Sequence, residues 1–79
     1  MSAAQHGNSR GVWQLGIMYE YGRGGITQDF VMASTLYERA AQDGLPQAQY
    51  YLALMLAYGR GRPQSFPRAV TWFHEVRGR

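Results

Sequence analysis

Tyr21-Gly22-Arg23-Gly24 and Tyr58-Gly59-Arg60-Gly61 are one four-residue phrase written twice, 37 positions apart, in a chain of 79 residues. Self-similarity at such a period marks a helical repeat array, so the phrase sets the register in which the remainder is read. Ahead of it, Leu15 and Met18 return as Leu52 and Met55, and Ala3-Ala4-Gln5-His6-Gly7 returns as Ala40-Ala41-Gln42-Asp43-Gly44. Behind it, Gln28, Phe30, Ala33 and Thr35 match Gln64, Phe66, Ala69 and Thr71 at a period of 36. The odd residue therefore lies in Gly25-Ile26-Thr27, in a turn; inside a helix it would rotate every later side chain by about 100°.

Each unit reads as two helices, predicted over 9–21, 28–42, 46–58 and 66–77. Asn8 or Ser9, Thr27 and Ser65 are the candidate N-caps, and Pro46 and Pro67 fall in first turns, where a missing N–H does no harm. Gly22, Gly24, Gly59 and Gly61 supply the structural turns, and Gly44 and Gly78 close the second and fourth helices. Gly11, Leu15 and Tyr19 recur every fourth residue, as do Ala48, Leu52 and Leu56, so each trio is expected to face the core. Gly16 and Ala53 lack bulk, allowing close approach by Ala33 with Tyr37 and by Ala69 with Phe73. The fold class is all-α: one domain, 1–79, of two antiparallel helix-turn-helix repeats (about 3–39 and 40–76) stacked as a short α/α solenoid.

Composition narrows the chemistry. There is no cysteine, so disulfides and thiolate metal sites are excluded. No apolar run has the length of a membrane span and the first ten residues lack the pattern of a signal peptide, so a soluble, cytoplasmic protein is expected. His6 and His74 stand far apart, outside any metal-ligand spacing, and the five acids are spread along the chain with no visible pairing; Asp29 suits the positive end of a helix dipole. The Gly-Arg-Gly turns follow helices and lack the Lys-Ser/Thr of a phosphate loop. Arg60, Arg62 and Arg68 cluster, yet a net charge of +3 is modest and no nucleic-acid recognition motif is present. The chain is expected to be no enzyme, to take no cofactor, metal or small-molecule substrate, and to bind no membrane; a minimal nucleic-acid binder is the third reading, behind the protein-binding ones.

The residues resemble the Sel-one-like repeat family, relatives of the tetratricopeptide solenoids. Unit one carries Ala3-Ala4, Gly7, Leu15-Gly16, Tyr19, Gly22-Arg23-Gly24, Gln28-Asp29-Phe30, Ala33 and Tyr37. Unit two carries Ala40-Ala41, Gly44, Leu52-Ala53, Gly59-Arg60-Gly61, Gln64-Ser65-Phe66, Ala69 and Trp72-Phe73. Leu36 stands where the family often has Trp, Ser65 replaces the usual Asp, and Val76-Arg77 replaces the small pair that would open a third unit. The resemblance implies a scaffold that binds a partner protein, in the manner of an adaptor; family members also act as inhibitors or immunity-type proteins that block a toxin or enzyme.

A second apolar stripe, Trp13, Ile17 and Tyr21, lies opposite the expected core face of the first helix, matched by Tyr50, Leu54 and Tyr58 in the third. With no unit preceding it, the first stripe is expected to be open. Trp13, Ile17 and Tyr21, with Arg10 at the rim and Tyr51 and Tyr58 beside them, are the candidate contacts to a partner protein or to a second copy in a homodimer.

Overall fold

The computed structural model of the chain describes residues 3–78, and side chains from Asn8 onward. Four helices follow one another: α1 (Ala3–Tyr21), α2 (Phe30–Gln42), α3 (Pro46–Tyr58) and α4 (Phe66–Arg77), with no strand among the described residues. Helices pack in the order of the chain, α1 on α2, α2 on α3 and α3 on α4, with α1 also touching α3. The result is a slab of 35 × 32 × 13 Å.

Such thinness explains the core. Ala33, Tyr37, Ala40, Ala41, Ala48, Leu52, Ala53, Met55, Leu56 and Ala69 are buried, and six of these ten are alanines, which let helix axes come close. At Gly16 even a methyl is too much, because a Cβ there would fall within 2.7 Å of the Tyr37 ring. The predicted trio Ala48, Leu52 and Leu56 is buried as expected, whereas Leu15 and Gly11 are exposed. In α1 the inner face is instead Ser9, Gly16 and Glu20. That face lies between the two apolar stripes, and its small and polar residues give no signal in the hydrophobic period.

The helix ends depart from expectation at three points. α1 starts at Ala3, so Ser9 is no cap but lies inside the helix, buried, its Oγ donating to Asp43 Oδ2 at 2.7 Å. A carboxylate across the unit satisfies it in place of a backbone N–H. α2 begins at Phe30 with Asp29, not Thr27, as N-cap, its side chain accepting from the Met32 N–H. Gly78 follows α4 in right-handed conformation, φ −73°, so it closes the helix without using glycine's extra freedom. Ser65, Pro46 and Pro67 take their expected places.

The two interhelix turns share their main bonds, and the longer first one adds Ile26 N–H to Arg23 O at 3.1 Å. The Arg23 N–H reaches the Met18 carbonyl as the Arg60 N–H reaches Met55, both at 2.9 Å. Asp29 N–H to Tyr19 O at 2.8 Å returns as Ser65 N–H to Leu56 O at 2.9 Å. Gln28 and Gln64 each donate a side-chain N–H back to the closing carbonyls, Glu20 O and Ala57 O, at 2.8 Å. Gly22, Gly24, Gly59 and Gly61 all have positive φ, from 63° to 81°.

Gly61 carries a second constraint, because an added Cβ would run into the carbonyl of Phe30, whereas at Gly25, also left-handed at φ 79°, it would meet nothing within 4 Å. Gly25→Ala should therefore cost only the left-handed penalty of about 1–2 kcal/mol. Gly61→Ala should cost clearly more, since the turn must lift off α2. Chemical denaturation of the two variants side by side checks this; equal losses would show that the turn does not seat tightly.

Candidate interaction surface

The turn after α3 is laid across the N-terminal half of α2, joining the units. Arg60 reaches the Glu20 carboxylate at 3.2 Å and stacks over the Phe30 ring at 5.1 Å. Arg62 donates to the Ser34 carbonyl at 3.3 Å and to Glu38 Oε1 at 3.1 Å, and Ser34 Oγ lies 3.4 Å from the Gly61 carbonyl oxygen. Glu20 is buried, and its other oxygen accepts from the Tyr37 hydroxyl at 2.6 Å. Burial first, then the hydrogen bond and charge of Glu20, hold the Tyr37 phenol far above its ordinary ionisation range. Two of the three clustered arginines are thus paired with carboxylates of the fold, Arg62 largely covered and Arg60 still half-exposed.

The expected open stripe divides. Trp13 and Ile17 are partly buried and pack against the core, so they do not form an open end. Trp13 meets the Tyr51 ring edge-on at 5.6 Å, and Tyr51 meets Tyr37 at 5.3 Å. The unit that covers Trp13 is the following one, and this is why the expectation fails. Tyr51, not Tyr50, points across the seam, while Tyr50 packs on Phe73 at 5.9 Å and stays 47% exposed. Arg10, Tyr21 and Tyr58 are exposed, Tyr21 under the Arg23 guanidinium at 5.1 Å. The structure does not bring the six candidates together: three line the seam and three lie on the outside.

Sequence reasoning missed the surface that is apolar and open. Tyr50, Phe66 and Val70 lie on α3 and α4, with Phe66 61% and Val70 49% exposed. The repeat itself carried the signal, since Phe66 and Val70 are the counterparts of Phe30 and Ser34, against which the turn of the other unit sits. A cleft of about 350 Å³ lies between the end of α2 and α4, lined by Gln42, Gln49, Thr71, Trp72 and Glu75. Among the described residues no cluster of three or more His, Asp or Glu is placed to hold a metal ion, and no helix is long and apolar enough to cross a membrane. His74 is exposed on α4, and the side chain of His6 lies outside the described residues.

The Sel1 repeat matches this chain twice, over residues 9–45 and 46–75, so that each match takes in one helix pair. An uncharacterised protein of Neisseria meningitidis serogroup B is 33% identical over 69 residues, 87% of this chain and 14% of that protein. A Sel1 repeat protein from Oxalobacter formigenes superposes with a TM-score of 0.86 at 34% identity, covering 89% of this chain and 52% of its own. A protective antigen present in uropathogenic Escherichia coli strains, displaying an SLR fold, superposes at 0.87 with 36% identity, covering 96% and 16%. The chain spans about half or less of the length of each. The resemblance read from the sequence and the all-α repeat fold are both confirmed.

Two predictions follow from the buried seat of Glu20. The second unit has Ala57 and Phe73 at the positions of Glu20 and Tyr37, an apolar pair in place of a polar one. Tyr37→Phe alone leaves a buried carboxylate oxygen short of a donor and should cost about 1–3 kcal/mol. Combined with Glu20→Ala it should cost about 1–3 kcal/mol less than the sum of the two single changes, because both halves of the pair then leave together; strictly additive losses in urea melts would refute the coupling. Below about pH 10 the phenol is protonated in folded and unfolded chains alike, and above it the unfolded chain loses a proton that the folded one keeps. Stability should fall as pH rises past that point, and Tyr37→Phe should flatten the fall; parallel pH profiles for the two proteins would contradict this.

Proposed function

We propose that this chain, which belongs to the Sel1 repeat family, is a protein-binding module that performs no chemistry of its own and presents the open face of α3 and α4 to a partner protein. The observation that carries the reading is the exposure of Tyr50, Phe66 and Val70 on one end of the slab. Their counterparts in the first unit, Trp13, Phe30 and Ser34, are in contact with the protein's own second unit. Aromatic side chains held on rigid helices lose little entropy on docking and are the usual anchors of protein interfaces. The cleft lined by Gln42, Thr71, Trp72 and Glu75 opens between α2 and α4 on a separate face of α4, turned away from Phe66 and Val70.

Immobilised chain and its Val70→Glu variant, compared for the proteins they retain from cells that make the chain, test the reading. The variant places a charge in a surface that must be desolvated, so retention should drop at least tenfold while the circular dichroism and melting temperature stay unchanged. Equal retention by both proteins would overturn it.

A further inference from the structure

The seam between the two units has two halves, and the chain carries a second, unused version of each. On the receiving side, Ser34 is 1% exposed while its counterpart Val70 stands open, and Trp13, Phe30 and Tyr37 are each less exposed than Tyr50, Phe66 and Phe73. On the docking side, Leu52 is 0% exposed and its counterpart Leu15 is 39% exposed; Ala48 and Met55 are buried where Gly11 is exposed and Met18 half-buried. One open face is therefore a copy of what α1 and α2 offer to the second unit. The other is a copy of what α3 and its turn lay upon them.

We propose that the open face of α3 and α4 is covered by the α1 face of a second copy of this chain, docked head to tail in the register that already joins the two units. The inference rests on the reading of that face as a binding surface and names its occupant. In this register the second copy's Leu15 and Met18 take the places of Leu52 and Met55. Its Arg23 leaves the Tyr21 ring to stack on Phe66, as Arg60 stacks on Phe30. Its Gly24 crosses the start of α4 where only a residue without Cβ fits, as Gly61 crosses Phe30.

The substitutions on the two faces also agree. Where the internal seam pairs Arg62 with Glu38, the outer one pairs Gly25 with His74, so no buried charge is left without a counter-ion by that change. Ala57 in place of Glu20 leaves Arg23 without a carboxylate, and Gln14 in place of Tyr51 removes an aromatic ring. The contact is weaker than the internal seam and mainly apolar. Because each copy carries a charge of +3, added salt screens the repulsion and tightens it, opposite to the response of a phosphate-binding surface.

A head-to-tail contact uses two different faces, so it does not close at two copies. Sedimentation equilibrium of the whole chain should show a weight-average mass that rises with concentration past the dimer. Leu15→Glu and Val70→Glu, each at an exposed site, should both be monomers with the helical signal intact. An equimolar mixture of the two should give a 1:1 dimer and nothing larger, since one intact face of each kind remains. Gln14→Glu and Phe66→Glu repeat the test at neighbouring exposed positions should either first variant lose its fold. A chain monomeric at millimolar concentration overturns the inference, as does a dimer abolished by Val70→Glu yet kept by Leu15→Glu, which would be face-to-face pairing. A monomeric chain whose foreign partner is still lost on Val70→Glu overturns this inference alone; no effect of Val70→Glu on any association overturns the reading beneath it.

Discussion

The structure depends on the way Arg60 is held. Its guanidinium lies between a ring of α2 and a carboxylate of α1, and that carboxylate is bonded on its other side by a hydroxyl of α2. Two helices are thereby fixed relative to the turn after α3. An ion pair with one partner half-exposed contributes little by itself. Here it acts as a locator: the apolar burial of Ala48, Leu52 and Met55 supplies the attraction between units, and the arginine sets the position at which they meet. Gly61 makes the same contact possible from the backbone side, and Arg62 extends it along α2 to Glu38.

The two units share a backbone and differ in what they accept. The first has a polar seat of Glu20, Ser34, Tyr37 and Glu38; the second has Ala57, Val70, Phe73 and His74 at the same places. Each set is internally consistent, since a tyrosine hydroxyl without Glu20 or a buried carboxylate without its donors would be costly. The array is therefore directional in chemistry as well as in geometry. A slab only 13 Å thick leaves every helix with an outer face, so such differences are displayed on the surface.

Much of this was legible from the repeat. The period placed four helices, with α3 and α4 matching their predicted bounds, because Pro46, Ser65, Pro67 and Gly59 act locally and their signals do not depend on packing. The start of α1 was not legible, because Asn8 and Ser9 look like a cap to any local rule, and only the distant Asp43 shows why Ser9 belongs inside the helix. The orientation of α1 was misread for a related reason. The inner face, Ser9, Gly16 and Glu20, lies between two apolar stripes, and Trp13 rather than Leu15 is covered because α3 arrives on that side. Gln28 and Gln64 stood in the aligned units without an assigned task, yet both tie their turns to a helix carbonyl. The apolar α4 face could have been found by asking which residues of unit two replace those that unit one uses to hold its neighbour.

Trp13 sits where the two units meet, edge-on to Tyr51, with its indole N–H buried and without an acceptor among the described residues. An indole so placed emits at the blue end of its range, and water admitted to the seam would shift the emission to the red. Trp72, the other indole, lines the cleft beside α4 and reports on a different surface. With Trp72 replaced by phenylalanine, the fluorescence of this small protein becomes a gauge of one event, the parting of its two halves, separable from the melting of the helices themselves.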